Sequence, residues 1–286
     1  MAAFVAAAIQ MRSGTSVADN VAAMESLVRE AVSLGATYVQ TPEMTGALMR
    51  DRAALKASLR DEANDPVVAA AARLATELGV HVHIGSTAID AGDGRIANRG
   101  FLFSPAGFTL ASYDKIHMFD VDLDNGESWR ESATYQPGAM ARAAEFDGAV
   151  VGMTICYDVR FPHLYQDLAL AGATVLTAPA AFTRQTGEAH WHILQRARAI
   201  ENGAFMISAA QGGKHEDGRE TYGHSIIIDP WGRILAEADG DEPGIVLAEL
   251  DLAESAAARA RIPNLRNRRA YDVEVVASQP LKVPAQ

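Results

Sequence analysis

The chain has 286 residues, of which 49% are hydrophobic and 21% charged, a composition typical of a globular protein with a sizeable core. Its 25 Lys and Arg residues against 36 Asp and Glu residues leave a formal net charge of −11, which disfavours nucleic acid and anionic membranes as partners. The one cysteine, Cys156, excludes an intrachain disulfide. The sequence therefore predicts a cytoplasmic protein whose thiol is either a buried core residue or a nucleophile.

The first third of the chain alternates predicted strands and helices. Its apolar start lacks the basic residues of a signal peptide, and polar residues follow before a membrane span is reached, so we interpret it as a buried strand. Ser16 is a suitable cap for a helix over residues 17–34 that ends at Gly35. Further elements are predicted in chain order as a strand at 38–41, a helix at 66–78 and strands at 80–86, 95–103 and 108–113.

The rest of the chain begins with a polar, irregular stretch from Ile116 to Pro137, which has the length of a functional loop. Beyond it we expect strands at 150–155, 174–178, 205–209, 222–228, 233–238 and 244–250, and helices at 162–171 and 187–201. No repeat, low-complexity run or linker interrupts this order. The pattern predicts one α/β domain over residues 1–270, with helices covering strand layers, and a C-terminal tail at 271–286.

Cys156 lies where an apolar strand gives way to a turn and a proline-led helix. Backbone N–H groups and the positive end of a helix dipole at such a position favour a thiolate and can hold an oxyanion. The alternative is a buried structural cysteine, the usual state of a free thiol. A nucleophilic role requires an activating base nearby.

Histidine is the first base to consider, but none of the eight histidines has a diagnostic setting. His81 and His83 would share one face of a strand, as metal ligands can, yet no third ligand follows at a characteristic spacing. The sequence also lacks the motifs G-x-x-x-x-G-K, H-E-x-x-H and G-x-S-x-G. We therefore expect packed or surface histidines, and neither a metal nor a cofactor.

A carboxylate is the other candidate base. Glu43 follows one predicted strand, Lys115 follows another, and Cys156 follows a third. Each charged residue alone is most often an ordinary surface charge. Together they place three reactive groups at the ends of three strands, which is how active sites of layered α/β folds are commonly assembled.

These residues and their surroundings resemble the nitrilase (carbon–nitrogen hydrolase) superfamily, whose Glu–Lys–Cys triad matches Glu43, Lys115 and Cys156 in order and context. The resemblance covers nearly the whole chain and is most specific at Cys156-Tyr-Asp-Val-Arg-Phe-Pro162. Other stretches indicate the Nit branch, and Ala209-Ala-Gln-Gly-Gly-Lys-His215 is closer to the deaminated glutathione amidases than to the ω-amidases. The family implies a four-layer αββα sandwich that stacks as αββα–αββα in a homodimer.

The family mechanism assigns a role to each residue of the triad. Glu43 takes the thiol proton and later activates water, Cys156 attacks the amide carbon, and Lys115 with the Tyr157 N–H stabilises the oxyanion. A second family glutamate matches Glu131, with Glu127 as the alternative. The resemblance also departs from its pattern at Asp124-Asn125, where relatives often carry Pro-Gly, so the loop shape there is open.

The family also implies how substrate is recognised. Arg160 matches an arginine that binds a substrate carboxylate, and Phe182 and Thr186 match residues lining the same pocket. A structural ion pair between Arg160 and Asp158 is the alternative. The substrate expected is a small amide that bears a carboxylate and releases ammonia through a thioester.

Two surfaces are expected to form contacts between subunits and not to bind a further ligand. The helix at 187–201 and the helix after Cys156 resemble the family's dimer surface. A basic stretch in the C-terminal region is expected to pack across a subunit interface, and consists of Arg259, Arg261, Arg266, Arg268 and Arg269. A homodimer or higher homo-oligomer follows, without nucleic acid or membrane.

The sequence therefore predicts a cofactor-free amidohydrolase that resembles the deaminated glutathione amidases. ω-Amidase activity on α-ketoglutaramate and nitrilase activity are the nearest enzymatic alternatives. A catalytically silent scaffold is the alternative from another class, and the intact triad speaks against it.

Overall fold

The computed structural model describes residues 3–92, 94–124 and 126–276. The described elements are, in chain order, β1 (Ala3–Gln10), α1 (Val17–Ser33), β2 (Tyr38–Gln40), α2 (Arg52–Ser58), α3 (Pro66–Leu78), β3 (His81–Gly92), β4 (Arg95–Phe103), β5 (Thr109–Asp114), β6 (Asp120–Asp122), β7 (Ser128–Arg130), β8 (Arg142–Phe146), β9 (Ala149–Met153), α4 (Pro162–Leu170), β10 (Val175–Thr177), α5 (Arg184–Asn202), β11 (Phe205–Ser208), β12 (Gly212–Lys214), β13 (Glu220–Tyr222), β14 (Ile226–Ile228), β15 (Ile234–Glu237), β16 (Gly244–Asp251) and α6 (Ala253–Arg261). Two 3₁₀ turns, Glu131–Ala133 and Cys156–Arg160, complete them.

Two six-stranded sheets form the centre of the described molecule. The first sheet has the order β16-β1-β2-β3-β4-β5 and the second the order β15-β14-β11-β10-β9-β8. In each sheet the three inner neighbours (β1-β2-β3 and β9-β10-β11) pair in parallel and the outer strands pair antiparallel. The parallel strands therefore end together, and loops that follow them can meet at one edge.

The helices form where local sequence signals predict them. The Ser16 side chain accepts a hydrogen bond from the Asp19 N–H at the start of α1. At α3 the Asp65 carboxylate caps the first turn, Pro66 occupies the first helical position, and Gly79 ends the helix with φ of +68°, which suits a residue without Cβ.

Two apolar clusters show which layers contact each other. One cluster joins Met24 and Val28 of α1 and Leu74 of α3 to the first sheet. The other joins the two sheets to each other and to α4 and α5, with Tyr38, Val151 and Trp191 among its members. The layers are therefore helices, sheet, sheet and helices, and the predicted αββα architecture is confirmed.

The structure differs from the sequence prediction mainly in short elements. The segment 116–137 is not wholly irregular, because β6 and β7 pair as a hairpin within it. The predicted strand 222–228 is two strands in different sheets, and α5 begins at Arg184 instead of residue 187. The short elements α2, α6, β8 and β12 were missed, since three to nine residues carry too little periodicity to be recognised.

The basic C-terminal stretch begins with an arginine that makes contacts inside its own chain. Arg259 lies on α6 and donates to the backbone oxygens of Asn202 (3.0 Å) and Ala173 (2.5 Å) of its own chain. Its guanidinium is therefore engaged within its own subunit, and packing of the basic stretch across a subunit interface stays a prediction. Residues 277–286 of the predicted tail lie outside the described residues. In the described ranges, every helix is too short or too polar to cross a bilayer.

Candidate active site

Glu43 lies three residues after β2, with its carboxylate buried between the two sheets. Its Oε1 accepts hydrogen bonds from Lys115 Nζ (2.8 Å) and Asn98 Nδ2 (2.9 Å). Its Oε2 accepts one from the Ala181 N–H (2.9 Å). The carboxylate is thus held by both sheets, because Lys115 and Asn98 belong to the first and Ala181 follows β10 of the second.

Lys115 follows β5 and is bound by a second carboxylate as well. Its Nζ lies 3.0 and 2.9 Å from the two carboxylate oxygens of Glu131. Glu131 Oε2 also accepts from the Phe119 N–H (2.7 Å), and its Oε1 accepts from Asn98 (3.2 Å). The ammonium is therefore fixed between two carboxylates.

Glu127, the alternative second glutamate, makes a different contact. Its Oε2 accepts a hydrogen bond from Trp129 Nε1 at 3.1 Å. The geometry consequently places Glu131, and not Glu127, against the ammonium of Lys115.

Cys156 begins a 3₁₀ turn three residues after β9, and its backbone adopts the left-handed region with φ of +49°. A non-glycine residue rarely occupies this region, and such strain often marks a functional site. The Cys156 N–H is held by the Pro179 carbonyl at 2.9 Å. The residue is 7% exposed, and its thiol interacts with the Glu43 carboxylate.

A buried aspartate ties the lysine segment to the cysteine turn. Asp158 accepts hydrogen bonds from Tyr113 Oη (2.7 Å) and the backbone N–H groups of His117 (3.1 Å) and Ile155 (2.9 Å). Because Tyr113 and His117 flank Lys115, these bonds fix the position of the lysine relative to Cys156.

Burial and neighbouring charges set the protonation states of the triad. Burial opposes ionisation of Glu43, but the charge and hydrogen bond of Lys115 outweigh it and hold the carboxyl pKa below its ordinary value. Burial also opposes the charge on Lys115, yet the charges of Glu131 and Glu43 raise its pKa well above the ordinary value. At neutral pH the site therefore holds a carboxylate beside an ammonium.

The thiol of Cys156 is protonated in this arrangement. Burial, followed by the charge of Glu43, raises its pKa well above the ordinary value. The expectation that a helix terminus favours the thiolate is therefore wrong. The α4 helix begins only at Pro162, and the carboxylate beside the sulfur disfavours a second negative charge.

A cavity of about 300 Å³ opens above the triad, which is within the size range of small-ligand sites. Glu43, Lys115, Glu131 and Cys156 line it. Further arginine, aromatic and polar side chains of the cavity wall include Arg50, Arg52, Phe119, Trp129, Arg130, Tyr157, Phe182, Thr186, Arg219 and Glu220. The predicted catalytic residues thus meet in one cavity.

The sequence matches the carbon-nitrogen hydrolase family over residues 5–260. The chain belongs to this family. Among curated relatives of this hydrolase, Deaminated glutathione amidase of Yersinia enterocolitica is 39% identical over 267 residues, which cover 92% of this chain and 92% of that protein. Omega-amidase NIT2 of Homo sapiens is 34% identical over 281 residues, covering 96% and 99%. The family predicted from the motifs is confirmed.

Solved structures of the Nit type share the fold of this carbon-nitrogen hydrolase. The NitFhit protein of C. elegans is 30% identical with a TM-score of 0.85, and the match covers 93% of this chain but only 65% of that longer one. Nit3 of Saccharomyces cerevisiae, a member of branch 10 of the nitrilase superfamily, is 26% identical with a TM-score of 0.81, covering 94% and 97%.

The predicted substrate-binding residues of the hydrolase lie beside the nucleophile. Phe182 and Thr186 line the cavity, and Tyr157 follows Cys156 in the 3₁₀ turn. Arg160 does not itself line the cavity, but its Cζ lies 5.3 Å from the Phe182 ring centroid and 5.9 Å from that of Tyr157.

The structural alternative for Arg160 was an ion pair with Asp158, and it is wrong. Asp158 is engaged by Tyr113, His117 and Ile155, as described above. Throughout residues 3–92, 94–124 and 126–276, no carboxylate lies within ion-pairing distance of Arg160, which contacts His190 Nδ1 at 3.2 Å. Burial lowers its pKa from the ordinary value. The guanidinium is therefore available to a ligand.

The histidines considered as metal ligands make other contacts. His83 Nδ1 lies 2.6 Å from Tyr38 Oη, and His81 stacks on Phe146. Within the described ranges, the one set of side chains spaced for a metal ion is His192, His224 and Glu237. There the carboxylate Oε1 lies 2.5 Å from His192 Nε2 and 3.0 Å from His224 Nδ1, so hydrogen bonds account for the cluster.

The sequence analysis predicted no role for Asn98, whose side chain donates hydrogen bonds to both Glu43 and Glu131. It lies inside β4, fully buried, and its Oδ1 has no hydrogen-bond partner in the described structure. Asparagine is depleted in strands, so its position inside an apolar strand was the available signal. Of the Asp124-Asn125 pair that departs from the family pattern, Asn125 lies outside the described residues.

Proposed function

We propose that this carbon-nitrogen hydrolase cleaves amides that carry a carboxylate, by nucleophilic attack of Cys156 and a thioester intermediate. The observation that supports this most is the carboxylate of Glu43, which accepts a hydrogen bond from Lys115 and interacts with the Cys156 thiol at a cavity wall. One side chain can therefore accept the thiol proton while an ammonium lies beside it.

In the first half of the reaction, the Cys156 Sγ–H proton passes to Glu43 and the sulfur attacks the amide carbon. The amide oxygen becomes an oxyanion, which the Lys115 ammonium and the Tyr157 N–H stabilise. Protonated Glu43 then donates its proton to the nitrogen as the carbon–nitrogen bond breaks. The products of this half are the thioester and a free amine, or ammonia when the amide is unsubstituted.

In the second half, Glu43 takes a proton from water and the resulting hydroxide attacks the thioester carbon. The carbon–sulfur bond breaks, the carboxylic acid leaves, and the proton returns to the sulfur. Glu131 holds Lys115 throughout through two contacts of 3.0 and 2.9 Å, so we assign it a positioning role.

Arg160 supports a preference for carboxylates, because a planar guanidinium binds a carboxylate through two parallel hydrogen bonds. The relatives named deaminated glutathione amidase favour an α-keto acid amide as the acyl part. Deaminated glutathione carries a peptide on the amide nitrogen, so its hydrolysis would release a dipeptide, whereas α-ketoglutaramate would release ammonia.

The test is a substrate panel that follows both kinds of product. We would compare deaminated glutathione, α-ketoglutaramate, a neutral aliphatic amide and a simple nitrile, measuring ammonia and free amine. Cys156→Ala should lower kcat by at least about 10³-fold. Full activity of Cys156→Ala would remove it as the nucleophile, and no hydrolysis of any amide by the unaltered protein would favour the scaffold interpretation.

The same panel tests recognition. Arg160→Ala should raise KM about tenfold to a hundredfold for the carboxylate-bearing amides only, as expected for a lost hydrogen bond between charged groups. Arg29→Ala, which removes a surface ion pair with Glu77 on the outer helices, is the matched control. An equal effect of Arg160→Ala on the neutral amide would contradict the assignment.

Two further expectations remain part of this proposal. A free thiol fits the reducing cytoplasm, where we place the protein. Exposed apolar side chains on α4 and α5, namely Leu170, Ile193 and Ile200, support a homodimer or higher homo-oligomer through these helices.

A further inference from the structure

Arginine side chains line the mouth of the cavity. In addition to the buried Lys115, four arginines line the cavity, namely Arg50, Arg52, Arg130 and Arg219. Among the lining residues that the structure describes, Glu220 is the single further carboxylate. A chain with a net charge of −11 thus concentrates positive charge where a ligand enters.

Two of these arginines are already neutralised by their own chain. Arg130 Nη2 lies 2.9 Å from Asp122, and Arg219 Nε lies 2.8 Å from Asp217. In contrast, no carboxylate within the described ranges lies at ion-pairing distance from Arg50, which is exposed, or from Arg52. Their charges are therefore available to an external anion.

Trp129 fixes the position of Arg50. The Arg50 Cζ lies 4.8 Å from the indole centroid, and the Cζ of Arg219 lies 5.1 Å from it. The indole is itself anchored, because Trp129 Nε1 donates to Glu127 Oε2 at 3.1 Å. A guanidinium that stacks on an anchored ring has lost part of its rotational freedom before a ligand arrives.

A row of aromatic rings connects this mouth to the nucleophile. The centroids of Trp129 and Phe119 lie 6.5 Å apart, and those of Phe119 and Tyr157 lie 5.1 Å apart. Tyr157 is adjacent to Cys156 and to the Arg160 guanidinium. Arg50 and Arg160 consequently lie at opposite ends of one aromatic wall.

We propose that Arg50, assisted by Arg52, forms a second anion-binding subsite that holds a carboxylate on the amine side of the substrate. This inference rests on the proposed function, in which Arg160 holds a carboxylate on the acyl side. With the acyl part at Arg160 and the amide carbon at Cys156, the leaving group extends along the rings toward the mouth. The preferred substrate is then an N-substituted amide with a carboxylate at each end.

The experiment compares three substrates that share one acyl part. Deaminated glutathione has the distal carboxylate, its C-terminal carboxamide replaces that group with a neutral one, and α-ketoglutaramate lacks the leaving chain. Arg50→Ala should raise KM for deaminated glutathione about tenfold at low salt and leave the other two unchanged. Arg50→Lys should show a smaller increase, because it keeps the charge but not the planar fork.

A binding measurement makes the test independent of turnover. Calorimetry on Cys156→Ala should show tighter binding of deaminated glutathione than of its carboxamide, and the difference should vanish in Cys156→Ala/Arg50→Ala. Raised salt should reduce the difference as well, since the site is exposed. Arg29→Ala in the same background should keep it.

The outcomes separate the two proposals. If the unaltered protein hydrolyses α-ketoglutaramate but binds deaminated glutathione and its carboxamide equally, the second subsite is overturned and the proposed function stands. If no amide is hydrolysed while the carboxylate-dependent binding difference persists and depends on Arg50, the subsite stands and the proposed function fails. An equal loss for all three substrates in Arg50→Ala also overturns the subsite.

Discussion

Replacing Asn98 with alanine tests how the protein controls the protonation of Glu43, the proposed general base. The Asn98 carboxamide donates to Glu43 at 2.9 Å and to Glu131 at 3.2 Å, at a position that is 0% exposed. Asn98→Ala removes both hydrogen bonds without adding a charge. Glu43 keeps its contacts with Lys115 and the Ala181 N–H.

The expected magnitude follows from the nature of the lost bond. A hydrogen bond to a charged group contributes about 1.5–3 kcal/mol, and about 1.4 kcal/mol corresponds to one pKa unit or a tenfold rate change. Because the Asn98 bond helps to lower the Glu43 pKa, its loss should raise that pKa. We expect kcat to fall about tenfold to a hundredfold.

The assay is the pH profile of kcat/KM with a carboxylate-bearing amide. Glu43 must be ionised to accept the thiol proton, so activity is lost as pH falls through its pKa. A raised pKa therefore moves the acid limb of the profile to higher pH. The thermal transition of each variant would be recorded in parallel.

Asn202→Ala is the matched control. Asn202 is also buried, its Oδ1 likewise lacks a partner, and it donates only to the Arg198 carbonyl at 2.9 Å on α5. It should lower stability without moving the acid limb. An unchanged acid limb in folded Asn98→Ala, or the same shift in Asn202→Ala, would refute the reasoning.

Three further predictions concern other parts of the molecule. Glu131→Gln should lower kcat about 100-fold with little change in KM, whereas Glu127→Gln should not, because Glu131 contacts Lys115 and Glu127 contacts Trp129; equal kinetic losses would contradict this. Burial lowers the pKa of His83 to about 3. As pH falls from neutral to 5, this histidine therefore binds a proton in the unfolded chain but stays neutral in the folded chain. The free energy of unfolding should consequently decrease by about 2 kcal/mol over this pH range. Denaturant titrations at both pH values would measure this, and His83→Gln should show a shallower dependence. Gly85→Ala should lower the free energy of unfolding by about 1–3 kcal/mol, since the new Cβ would lie 2.3 Å from a backbone oxygen and 2.4 Å from a proline side chain. A thermal melt would measure this, and an unchanged transition would show that the two sheets can separate there.

The sequence predicted the long elements because their signals are local. The cap at Ser16 and the Pro66 and Gly79 bounds of α3 depend on residues within one helix, and the structure reproduces them. The triad could be predicted because Glu43, Lys115 and Cys156 each follow a strand within a recognisable motif.

The remaining features depend on contacts that a sequence does not display. The hydrogen bond from Asn98 to Glu43 forms only because folding places β4 beside a residue 55 positions away in the chain. The protonated state of Cys156 likewise depends on burial between two sheets, which outweighs the local effect of a nearby helix. The contact of Arg50 with Trp129 joins the loop before α2 to strand β7, two distant parts of the chain.

The protonation state of Cys156 has a consequence for the lifetime of the protein. Peroxides and electrophiles react with the thiolate and far less with the thiol. Because burial and the charge of Glu43 keep the sulfur protonated, the proposed nucleophile is in an unreactive form in the resting protein. The carboxylate to which we assign activation of the sulfur during turnover would thus also protect it from oxidative damage between turnovers.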